Sequence, residues 1–449
     1  MAEWLFLRNA GRRSVPRKAP TSRFNVSTSP SQRRVVRLLL ATNRWSDARM
    51  KPVLTSNAIR SGETAVEPLA PSALQPRTER PGSSTAAPDA DRRQDRPADT
   101  DRLPEVNELL GRLGLGRLTP ENARAFPGRN DNWSGRTTSG DHVFVKRIDG
   151  QAESAVRRLH RVIAFERGNP GLAAPRCLGW DETARLVVFE FVDDARSGND
   201  LATDEAFDDA LAHRAGRMIG RLHGAWSGAE DLDDSPADLP PIPWLHALPG
   251  AVFTASSAAA LEVWRLLQGD DELIAALTRM REREAVAPRT AAHCDLRLDQ
   301  FLLADAELYL TDWEELRLAD PARDVGAFAG EWLYRAITAI PESARSDGAS
   351  DSPLTHQQIL SAGAREIESR RPLVAAFWSG YRAERGAIDA DLAERAAMFA
   401  GWHLLDRVLS LAEHSPRIRA VDRAAFGIGR RVLLNAPAAS TTLGLGDQR

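Results

Sequence analysis

The residues with the clearest chemical pattern lie between His293 and Asp324. Asp295 is followed five positions later by the carboxamide of Gln300, and a short alternating stretch then leads to a second acid, Asp312. Phosphoryl transfer uses one carboxylate to orient the attacking hydroxyl, and an amide and a second carboxylate to hold Mg²⁺ on the nucleotide phosphates. The pattern therefore predicts a phosphoryl-transfer site, with Gln300 and Asp312 as the metal ligands.

Two further residues of this segment fit the same chemistry. Arg297 can touch the transferring phosphate, where growing negative charge favours a cation, and it is predicted to be catalytic together with Asp295. His293 is predicted to be structural, packing beneath the loop and hydrogen-bonding to hold its backbone. The full set, at spacings of 2, 5 and 17 residues from Asp295, is far more specific than any one of its members.

The other half of such a site must bind the nucleotide phosphates. Residues 126–135, which read FPGRNDNWSG, are polar and bounded by glycine, and the alternating strand His142–Lys146 follows them. Gly, Asn and Ser permit the unusual φ and ψ angles that turn backbone N–H groups toward an anion. The predicted phosphate-binding residues of this stretch are Asn130, Asn132, Ser134 and Gly135. Lys146 is predicted to neutralise the α and β phosphates, although taken alone it is more simply a solvated strand lysine.

A lysine in this role needs an acid on the following helix to hold it. The segment Ser154–Arg167 has the apolar spacing of a helix, and Glu166, near its end, lies 20 positions after Lys146. Glu153 lies only seven positions after the lysine, at the entrance of the helix. Glu166 is therefore favoured as the partner, and the alternative for both acids is an ordinary surface position.

The elements that position these residues form two groups, which predicts an α+β fold with two lobes. Residues 101–192 are predicted to form a small β-rich N-lobe with the phosphate-binding stretch, the lysine strand and the buried strand Arg185–Val192. Residues 193–435 are predicted to form a larger helical C-lobe around the acid–amide–acid segment. Helices are expected there at Asp208–Trp226, Ser257–Leu267, Glu272–Glu284, Val325–Ile340, Gln357–Arg385, Ala390–Glu413 and Arg417–Leu433.

The two ends of the chain differ from this body. Residues 1–100 are rich in Arg, Pro, Ser and Thr and have little periodic hydrophobicity, so they are predicted to be a disordered basic and Pro-rich extension. The basic part is either a docking arm for an acidic partner or a tail without function, and translation from Met50 is a third alternative. Residues 436–449 are predicted to be a flexible tail.

Charge and known hydrolase patterns exclude several classes of function. The net charge of the 449 residues is −3, but residues 1–50 carry 11 Lys and Arg against two acids, so the remainder is acidic. An acidic body argues against nucleic acid as the main partner. The sequence contains neither an HExxH zinc pattern nor the G-x-S-x-G turn of serine hydrolases. Metal-dependent and serine hydrolases are therefore not expected.

Cysteine content and hydropathy bear on the compartment. Only two cysteines occur, Cys177 and Cys294, which gives no disulfide framework or zinc spacing and fits a reducing cytosol. No apolar run approaches the roughly 20 residues that span a bilayer. A cytoplasmic protein without a membrane partner is expected.

These residues resemble those of the aminoglycoside phosphotransferase and choline-kinase-like superfamily, which is related to protein kinases. The family loop H-G-D-x-x-x-x-N is matched by HCDLRLDQ, the strand end I-D-W-E by LTDWE, and the following G-D-P-x-x-D by ADPARD. The resemblance covers about residues 103–435. It implies a bilobal protein-kinase-like fold, ATP and Mg²⁺ as cofactors, and Asp295 as the catalytic carboxylate. It also implies a hinge whose backbone, around Glu190 and Val192, meets adenine.

Two departures from the family pattern bear on metal and phosphate binding. Gln300 replaces the family's asparagine, and the extra methylene moves the amide oxygen by about one bond length. The predicted phosphate loop, NDNWSG, lacks the G-x-G-x-x-G of protein kinases. A pseudokinase that scaffolds another enzyme is therefore one alternative, against which the presence of Lys146, Asp295 and Asp312 argues.

A narrower resemblance concerns the substrate. The pairing of FPGRNDNWSG with VFVKR, and of HCDLRLDQFLL with LTDWEE, is similar to the kinase subunit of class V lanthipeptide synthetases. That family phosphorylates Ser and Thr of a ribosomal precursor peptide, and a separate lyase then eliminates phosphate to give dehydroamino acids for thioether rings. The resemblance implies a precursor peptide as substrate, a lyase or cyclase as partner, and Gln300 as a subfamily trait. The alternative is a small-molecule kinase acting on an aminoglycoside, choline-like or sugar hydroxyl.

Overall fold

The computed structural model describes residues 96–97, 103–126, 130–226, 232–346 and 354–446. These residues form a β-rich first lobe and a helical second lobe, joined through residues 191–195. The predicted α+β class with two lobes of unequal size is confirmed.

The first lobe is built on an antiparallel sheet whose strands lie in the order β1-β2-β3-β4-β6-β5. Their bounds are β1 Arg96–Pro97, β2 Arg124–Phe126, β3 Asp131–Arg136, β4 His142–Arg147, β5 Cys177–Asp181 and β6 Leu186–Glu190. Two helices belong to this lobe, α1 at Leu103–Arg112 and α2 at Ala152–Gly168.

The alternation of side chains along β4 gives the sheet one apolar and one mixed face. Val143 and Val145 are fully buried in the same cluster as Trp133 of β3 and the apolar residues of α1. Lys146 points to the opposite face, and its register partner Val187 belongs to the cluster that includes the buried residues of α2. The sheet register therefore turns Lys146 toward α2 and the second lobe.

Two small antiparallel sheets frame the predicted catalytic segment in the second lobe. Strand β9 pairs with β10 and β7, and strand β8 pairs with β11. The bounds are β7 Arg196–Ser197, β8 Thr290–Ala292, β9 Phe301–Ala304, β10 Glu307–Leu310 and β11 Arg317–Ala319. A 3-10 turn at Leu298–Gln300 precedes β9, and another at Trp313–Glu315 follows β10. Asp295 and Asp312 thus stand just before the two turns.

The rest of the second lobe is helical. Its helices are α3 Gly198–Thr203, α4 Asp209–Ala225, α5 Gly250–Ala255, α6 Ala258–Gln268, α7 Asp271–Val286, α8 Ala322–Ser346, α9 His356–Arg385, α10 Leu392–Glu413, α11 Ala420–Leu434 and α12 Ala436–Leu443. Helices α4 and α9 approach closely, because a Cβ added at Gly216 would lie 2.0 Å from the carbonyl oxygen of Phe377. Within the described ranges, none of the helices is long and apolar enough to cross a membrane.

The predicted flexible tail at 436–449 is wrong for most of its length. Its first part is helix α12, and both Leu443 and Leu445 are buried. The turn at Gly444 lies against the backbone of α9, near Arg371 and Ala375. The residues of this segment are small and uncharged, as they often are in flexible tails. The same small apolar side chains, however, cost little to bury. Residues 447–449 lie outside the described part of the chain.

The predicted disordered extension at residues 1–100 lies outside the described residues apart from 96–97. Those two residues form β1, which pairs with Arg124 and Ala125 of β2. The sheet therefore begins a few residues before the predicted start of the first lobe.

Candidate active site

Asp295 lies in the loop between β8 and the 3-10 turn at Leu298–Gln300. Its carboxylate is 39% exposed, and a guanidinium nitrogen of Arg297 lies 3.9 Å away. Protein surrounds the other sides of the carboxylate, and this burial raises the pKa of Asp295 to about 6; Asp312 adds to the shift and Arg297 opposes it. A carboxyl group with this pKa can accept a proton near neutral pH, which suits a general base.

The loop that carries Asp295 is held by Asp324, in the first turn of α8. The carboxylate of Asp324 accepts the backbone N–H groups of His293 at 2.7 Å and Cys294 at 2.8 Å. It also lies 3.0 Å from Nε2 of His223. Burial acts to raise the pKa of Asp324, but the hydrogen bond with His223 keeps it below its ordinary value. The carboxylate is therefore charged and fixes the start of the loop.

Gln300 closes the other end of the loop with its backbone and its side chain. Its side-chain oxygen accepts the Arg297 N–H at 2.8 Å, and its backbone carbonyl accepts the Thr311 N–H at 3.0 Å. The carbonyl of Thr311 lies 2.9 Å from Nε2 of His293, which gives His293 the structural role expected from the sequence. The amide nitrogen of Gln300 is buried and has no hydrogen-bond partner within the described residues. The oxygen expected to bind metal is thus already engaged by the loop, with one lone pair remaining.

The donor set for a divalent cation is small. Asp312, in the left-handed backbone region at φ 71°, offers a carboxylate, and Gln300 offers the second lone pair of its amide oxygen. Among the described residues, no group of three or more His, Cys, Asp or Glu is arranged to hold a metal ion. Mg²⁺ in nucleotide sites needs only one or two protein ligands, because phosphates and water supply the rest. Asp312 and Gln300 fit that mode of binding and not a closed protein cage.

Lys146 reaches from the first lobe to the segment that is predicted to bind metal. Its ammonium contacts the carboxylate of Asp312 and lies 2.9 Å from Oε2 of Glu314. Burial acts to lower the pKa of Lys146, but the two carboxylates outweigh it and hold the pKa above its ordinary value. Lys146 is therefore a buried cation whose charge is fixed by the second lobe.

The acid that holds Lys146 is neither of the two that were predicted. Glu166 lies beside Cys177, where burial raises the pKa of Glu166 to about 6. Glu153 pairs with Arg157 at 3.5 Å on the exposed side of α2. Both acids therefore lie off the helix face that meets the second lobe.

Glu314 and two arginines of α2 form the part of the site that the sequence did not reveal. The carboxylate of Glu314 contacts Arg158 and accepts a side-chain N–H of Asn130 at 2.8 Å. Arg161, one turn further along α2, pairs with Glu315 at 2.8 Å. The signal was the pair of adjacent acids together with two arginines three residues apart, a spacing that places both on one helix face.

Most of the predicted phosphate-binding residues lie in strand β3 and not in a loop. Residues 127–129, between β2 and β3 in the sequence, lie outside the described residues. Asn130 is bonded to the carboxylate of Glu314, and Ser134 is buried. A Cβ at Gly135 would lie 2.2 Å from the carbonyl oxygen of Asn122, so close packing explains this glycine without an anion.

Asn132 keeps a position that suits nucleotide binding. It is the register partner of Lys146, and directly paired residues of antiparallel strands share a face. Its side-chain nitrogen donates to the carbonyl of Asn130 at 3.2 Å, while its side-chain oxygen has no hydrogen-bond partner within the described residues. Of the predicted phosphate-binding group, Asn132 is the member placed beside the lysine.

The predicted hinge follows β6. The side chain of Glu190 is exposed and pairs with Arg176 at 3.1 Å, and its backbone N–H donates to the carbonyl of Arg176 at 2.8 Å. The backbone C=O of Glu190 is therefore the group that could meet a base. The N–H and C=O groups of Val192 form no hydrogen bond within the part of the chain that the structure describes. An adenine ring needs such free backbone groups.

The residues around the hinge contact side chains of β3 and β4. Phe191 stacks on His142, with ring centroids 4.1 Å apart. Asp193 lies 2.5 Å from Nδ1 of His142 and 3.2 Å from Arg136. These contacts fix the connection between the two lobes next to Val192.

A second cluster of charged side chains lies near Arg297, on helices α8 and α10. Glu331 lies 2.7 Å from Nε2 of His403 and 3.7 Å from Arg407. Burial acts to raise the pKa of Glu331, but the His403 hydrogen bond and the two arginines lower it to about 2. Asp406 is half-buried, burial raises its pKa, and it forms no hydrogen bond or ion pair within the described ranges.

One family model matches the chain. It is described as the phosphotransferase enzyme family, and it matches residues 122–356, more than half of the sequence. No curated protein sequence matches the chain.

Several solved structures are similar in fold. Spectinomycin phosphotransferase APH(9)-Ia, in complex with ADP and spectinomycin, is 12% identical with a TM-score of 0.45; the match covers 75% of this chain and 98% of that one. Amicoumacin kinase hAmiN, in complex with AMP-PNP, Ca²⁺ and its antibiotic, is 14% identical with a TM-score of 0.46 and coverages of 73% and 92%. Choline kinase LicA from Streptococcus pneumoniae is 17% identical with a TM-score of 0.35 and coverages of 67% and 98%.

Proposed function

Because this chain belongs to the phosphotransferase enzyme family, we propose that it transfers the terminal phosphoryl group of ATP to a hydroxyl acceptor at the junction of its two lobes. The family assignment makes it a phosphotransferase and confirms the predicted bilobal protein-kinase-like fold. Support for the site comes from the ion pair between Lys146 and Asp312. A nucleotide site needs a cation for the phosphates next to a carboxylate for Mg²⁺, and this contact supplies both.

The nucleotide is proposed to lie between the hinge and this ion pair. The free backbone groups of Val192 would meet the adenine edge, with the backbone of Glu190 beside them. Lys146 and the neighbouring Asn132 would contact the phosphates. Asp312 and Gln300 would hold Mg²⁺, which when bound neutralises charge on the phosphates.

Asp295 is proposed as the general base and Arg297 as the cation that stabilises the transferring group. The acceptor hydroxyl gives its proton to the Asp295 carboxylate as its oxygen forms the new bond to phosphorus, and the bond to ADP breaks. The guanidinium of Arg297, which lies 3.9 Å from that carboxylate, can reach the same transferring group. Because the pKa of Asp295 is about 6, its basic form predominates at neutral pH.

The acceptor favoured by the sequence motifs is a Ser or Thr hydroxyl of a ribosomally made precursor peptide. Support comes from the pairing of FPGRNDNWSG with VFVKR and of HCDLRLDQFLL with LTDWEE. In that setting a separate lyase or cyclase would be the partner protein, eliminating the phosphate that this enzyme adds. Gln300 would then be a trait of a peptide-modifying subfamily.

A small-molecule alcohol that carries an ammonium group is the second candidate acceptor. The observation that favours it is Asp406, a half-buried carboxylate without a hydrogen bond or ion pair among the described residues, on the helix that also carries His403 and Arg407. A buried carboxylate recovers the free energy of lost hydration when a cation pairs with it. An amino alcohol would satisfy Asp406 and present its hydroxyl toward Arg297.

One experiment separates these acceptors. The protein is incubated with Mg-ATP and either a Ser/Thr-rich peptide encoded beside it or a panel of amino alcohols that includes choline and aminoglycosides. Mass spectrometry then detects a mass gain of one phosphate. Phosphopeptide formation is the expected result, and transfer to amino alcohols alone would favour the second candidate.

Asp295→Asn is the test variant and should lose most of the transfer activity, and Asp305→Asn is its matched control. Asp305 is an exposed acid in the β9–β10 turn with φ 48°, a conformation that asparagine also accepts, so its substitution should leave transfer unchanged. Binding of nucleotide or peptide without any transfer by the wild-type protein would contradict the proposal and favour a pseudokinase scaffold.

A further inference from the structure

Helix α2 docks on the turn after Asp312 through one face. Arg158 contacts Glu314, Arg161 pairs with Glu315 at 2.8 Å, and the ring of Phe165 stacks on Trp313 with centroids 3.6 Å apart. The three helix residues are spaced by three and four positions, so they form one stripe. The whole 3-10 turn Trp313–Glu315 is therefore fixed to the helix.

Glu314 is the point at which this helix, the lysine strand and the metal-binding segment meet. Its Oε2 lies 2.9 Å from Nζ of Lys146 and accepts the side-chain N–H of Asn130 at 2.8 Å. Its Oε1 contacts Arg158, whose Nη1 also donates to the carbonyl of Asp149 at 2.8 Å. The side chains of Arg158 and Glu314 are only 3% and 5% exposed, so bulk water hydrates neither charged group.

We propose that Glu314 is the positioning residue of Lys146, and that Arg158 of α2 holds Glu314 in place. In protein kinases the lysine is paired with a glutamate carried by the helix itself. Here the charges are exchanged: the helix supplies the cation, and the turn after Asp312 supplies the acid. The inference rests on the proposed function, since it takes Lys146 as the ligand of the nucleotide phosphates.

This exchange gives Lys146 two carboxylate partners, Asp312 and Glu314, and not one. When Asp312 engages a metal ion and phosphates, Lys146 still keeps Glu314, which holds its ammonium in position and charged. If Glu314 loses its charge, Arg158 and Lys146 are left facing one neutral group in a buried place, and the lysine loses its fixed position. Arg158 acts through Glu314, so its substitution should weaken nucleotide binding less than substitution of Glu314 itself.

The test measures the binding of Mg-AMP-PNP by titration calorimetry, without an acceptor, so that it does not depend on phosphoryl transfer. Glu314→Gln is expected to weaken binding by at least about tenfold, as a charge-assisted contact is lost. Lys146→Met is expected to weaken it at least as much, and the double variant should bind like Lys146→Met alone, because Glu314 acts through the lysine.

Glu315→Gln is the matched control. Glu315 belongs to the same turn and pairs with Arg161 at 2.8 Å and Arg317 at 2.7 Å, while Arg158 lies further away, at 3.7 Å. Its substitution should lower the melting temperature as that of Glu314 does, because a largely buried ion pair is broken, while nucleotide affinity stays within about twofold of wild type. If Glu314→Gln does not fold, Glu314→Asp keeps the charge but is too short to span Lys146 and Arg158, and it should still bind nucleotide more weakly.

Two results would overturn the inference while leaving the proposed function intact. One is wild-type affinity in a folded Glu314→Gln or Glu314→Asp variant. The other is a double variant that binds more weakly than Lys146→Met by the full effect of Glu314→Gln, which would show that the two residues act independently. A wild-type protein that does not bind the nucleotide at all would instead contradict the proposed function.

Discussion

Lys146 of strand β4 and Asp312, which follows strand β10, form an ion pair across 166 positions of sequence. The contact joins the sheet of the first lobe to the proposed catalytic segment of the second. A nucleoside triphosphate and its metal ion require these two charges in one place, a cation for the phosphates and a carboxylate for the metal.

Substitution of Lys146 should weaken productive nucleotide binding. Lys146→Met is expected to lower kcat/KM for ATP by roughly 10²–10³-fold, because the phosphates lose a fixed cation. The measurement is steady-state kinetics with ATP varied. The control is Arg147→Met, since Arg147 pairs with Glu105 at 2.8 Å and does not face the metal-binding segment. Equal losses in both variants would contradict a specific role for Lys146.

The pH dependence of transfer should report Asp295. Its pKa is raised to about 6, and the carboxylate is the form that accepts a proton. Transfer should therefore rise as pH increases through about 6 and level off above it, when kcat/KM is measured between pH 4.5 and 8.5. A plateau that already extends down to pH 5 would contradict the assignment of the base to Asp295.

Substitution of Asp324 should loosen the catalytic loop. Asp324→Asn replaces one carboxylate oxygen by a donor that faces the N–H groups of His293 or Cys294. A buried donor left without its acceptor costs about 1–3 kcal/mol, so the free energy of unfolding in urea should fall by that amount and kcat should fall with it. Unchanged stability together with unchanged kcat would show that the loop is held in another way.

Gln300 should be required for the loop as well as for any metal. Gln300→Asn shortens the side chain that reaches the N–H of Arg297, and this should lower the free energy of unfolding by about 1 kcal/mol without metal present. The measurement is urea unfolding in EDTA. A variant as stable as wild type in EDTA, but with a changed Mg²⁺ requirement, would assign Gln300 to the metal alone.

The ionised carboxylate of Glu331 should stabilise the fold at neutral pH, and this contribution should be lost in strong acid. Its pKa in the folded protein is about 2, below the ordinary 4.5, so its ionised form is favoured by folding. The contribution is fully present above pH 4.5 and is lost as pH falls through about 2. The difference in unfolding free energy between wild type and Glu331→Gln should shrink over that window. A difference that is independent of pH would contradict the ion pairing of Glu331.

That Asp295, Gln300 and Asp312 lie near one another could be predicted from the sequence, whereas the partner of Lys146 could not. A short hairpin fixes the spacings of Asp295, Gln300 and Asp312 locally, so their approach to one another follows from the sequence alone. The partner of Lys146 depends on which face of α2 docks on the second lobe. That choice is made by tertiary packing, and it selects Arg158, with Glu314 opposite, over Glu166.

Two local structures were missed for a related reason. The polar stretch around Asn132 is typical of a loop, but pairing with β4 makes it a strand. The uncharged segment after Asn435 is typical of a tail, but its small side chains fit against helix α9. In both cases contacts with distant parts of the chain override local composition.

Asp295 is proposed as the base for phosphoryl transfer, in a site where nucleotide binding depends on Lys146. Single-turnover transfer from Mg-ATP to the identified hydroxyl acceptor tests this assignment most directly, with the affinity for Mg-AMP-PNP measured in parallel. Asp295→Asn should lower the transfer rate by about 10²–10⁴-fold and leave nucleotide affinity within about twofold. Transfer at the wild-type rate by Asp295→Asn would contradict the assignment of the base to Asp295.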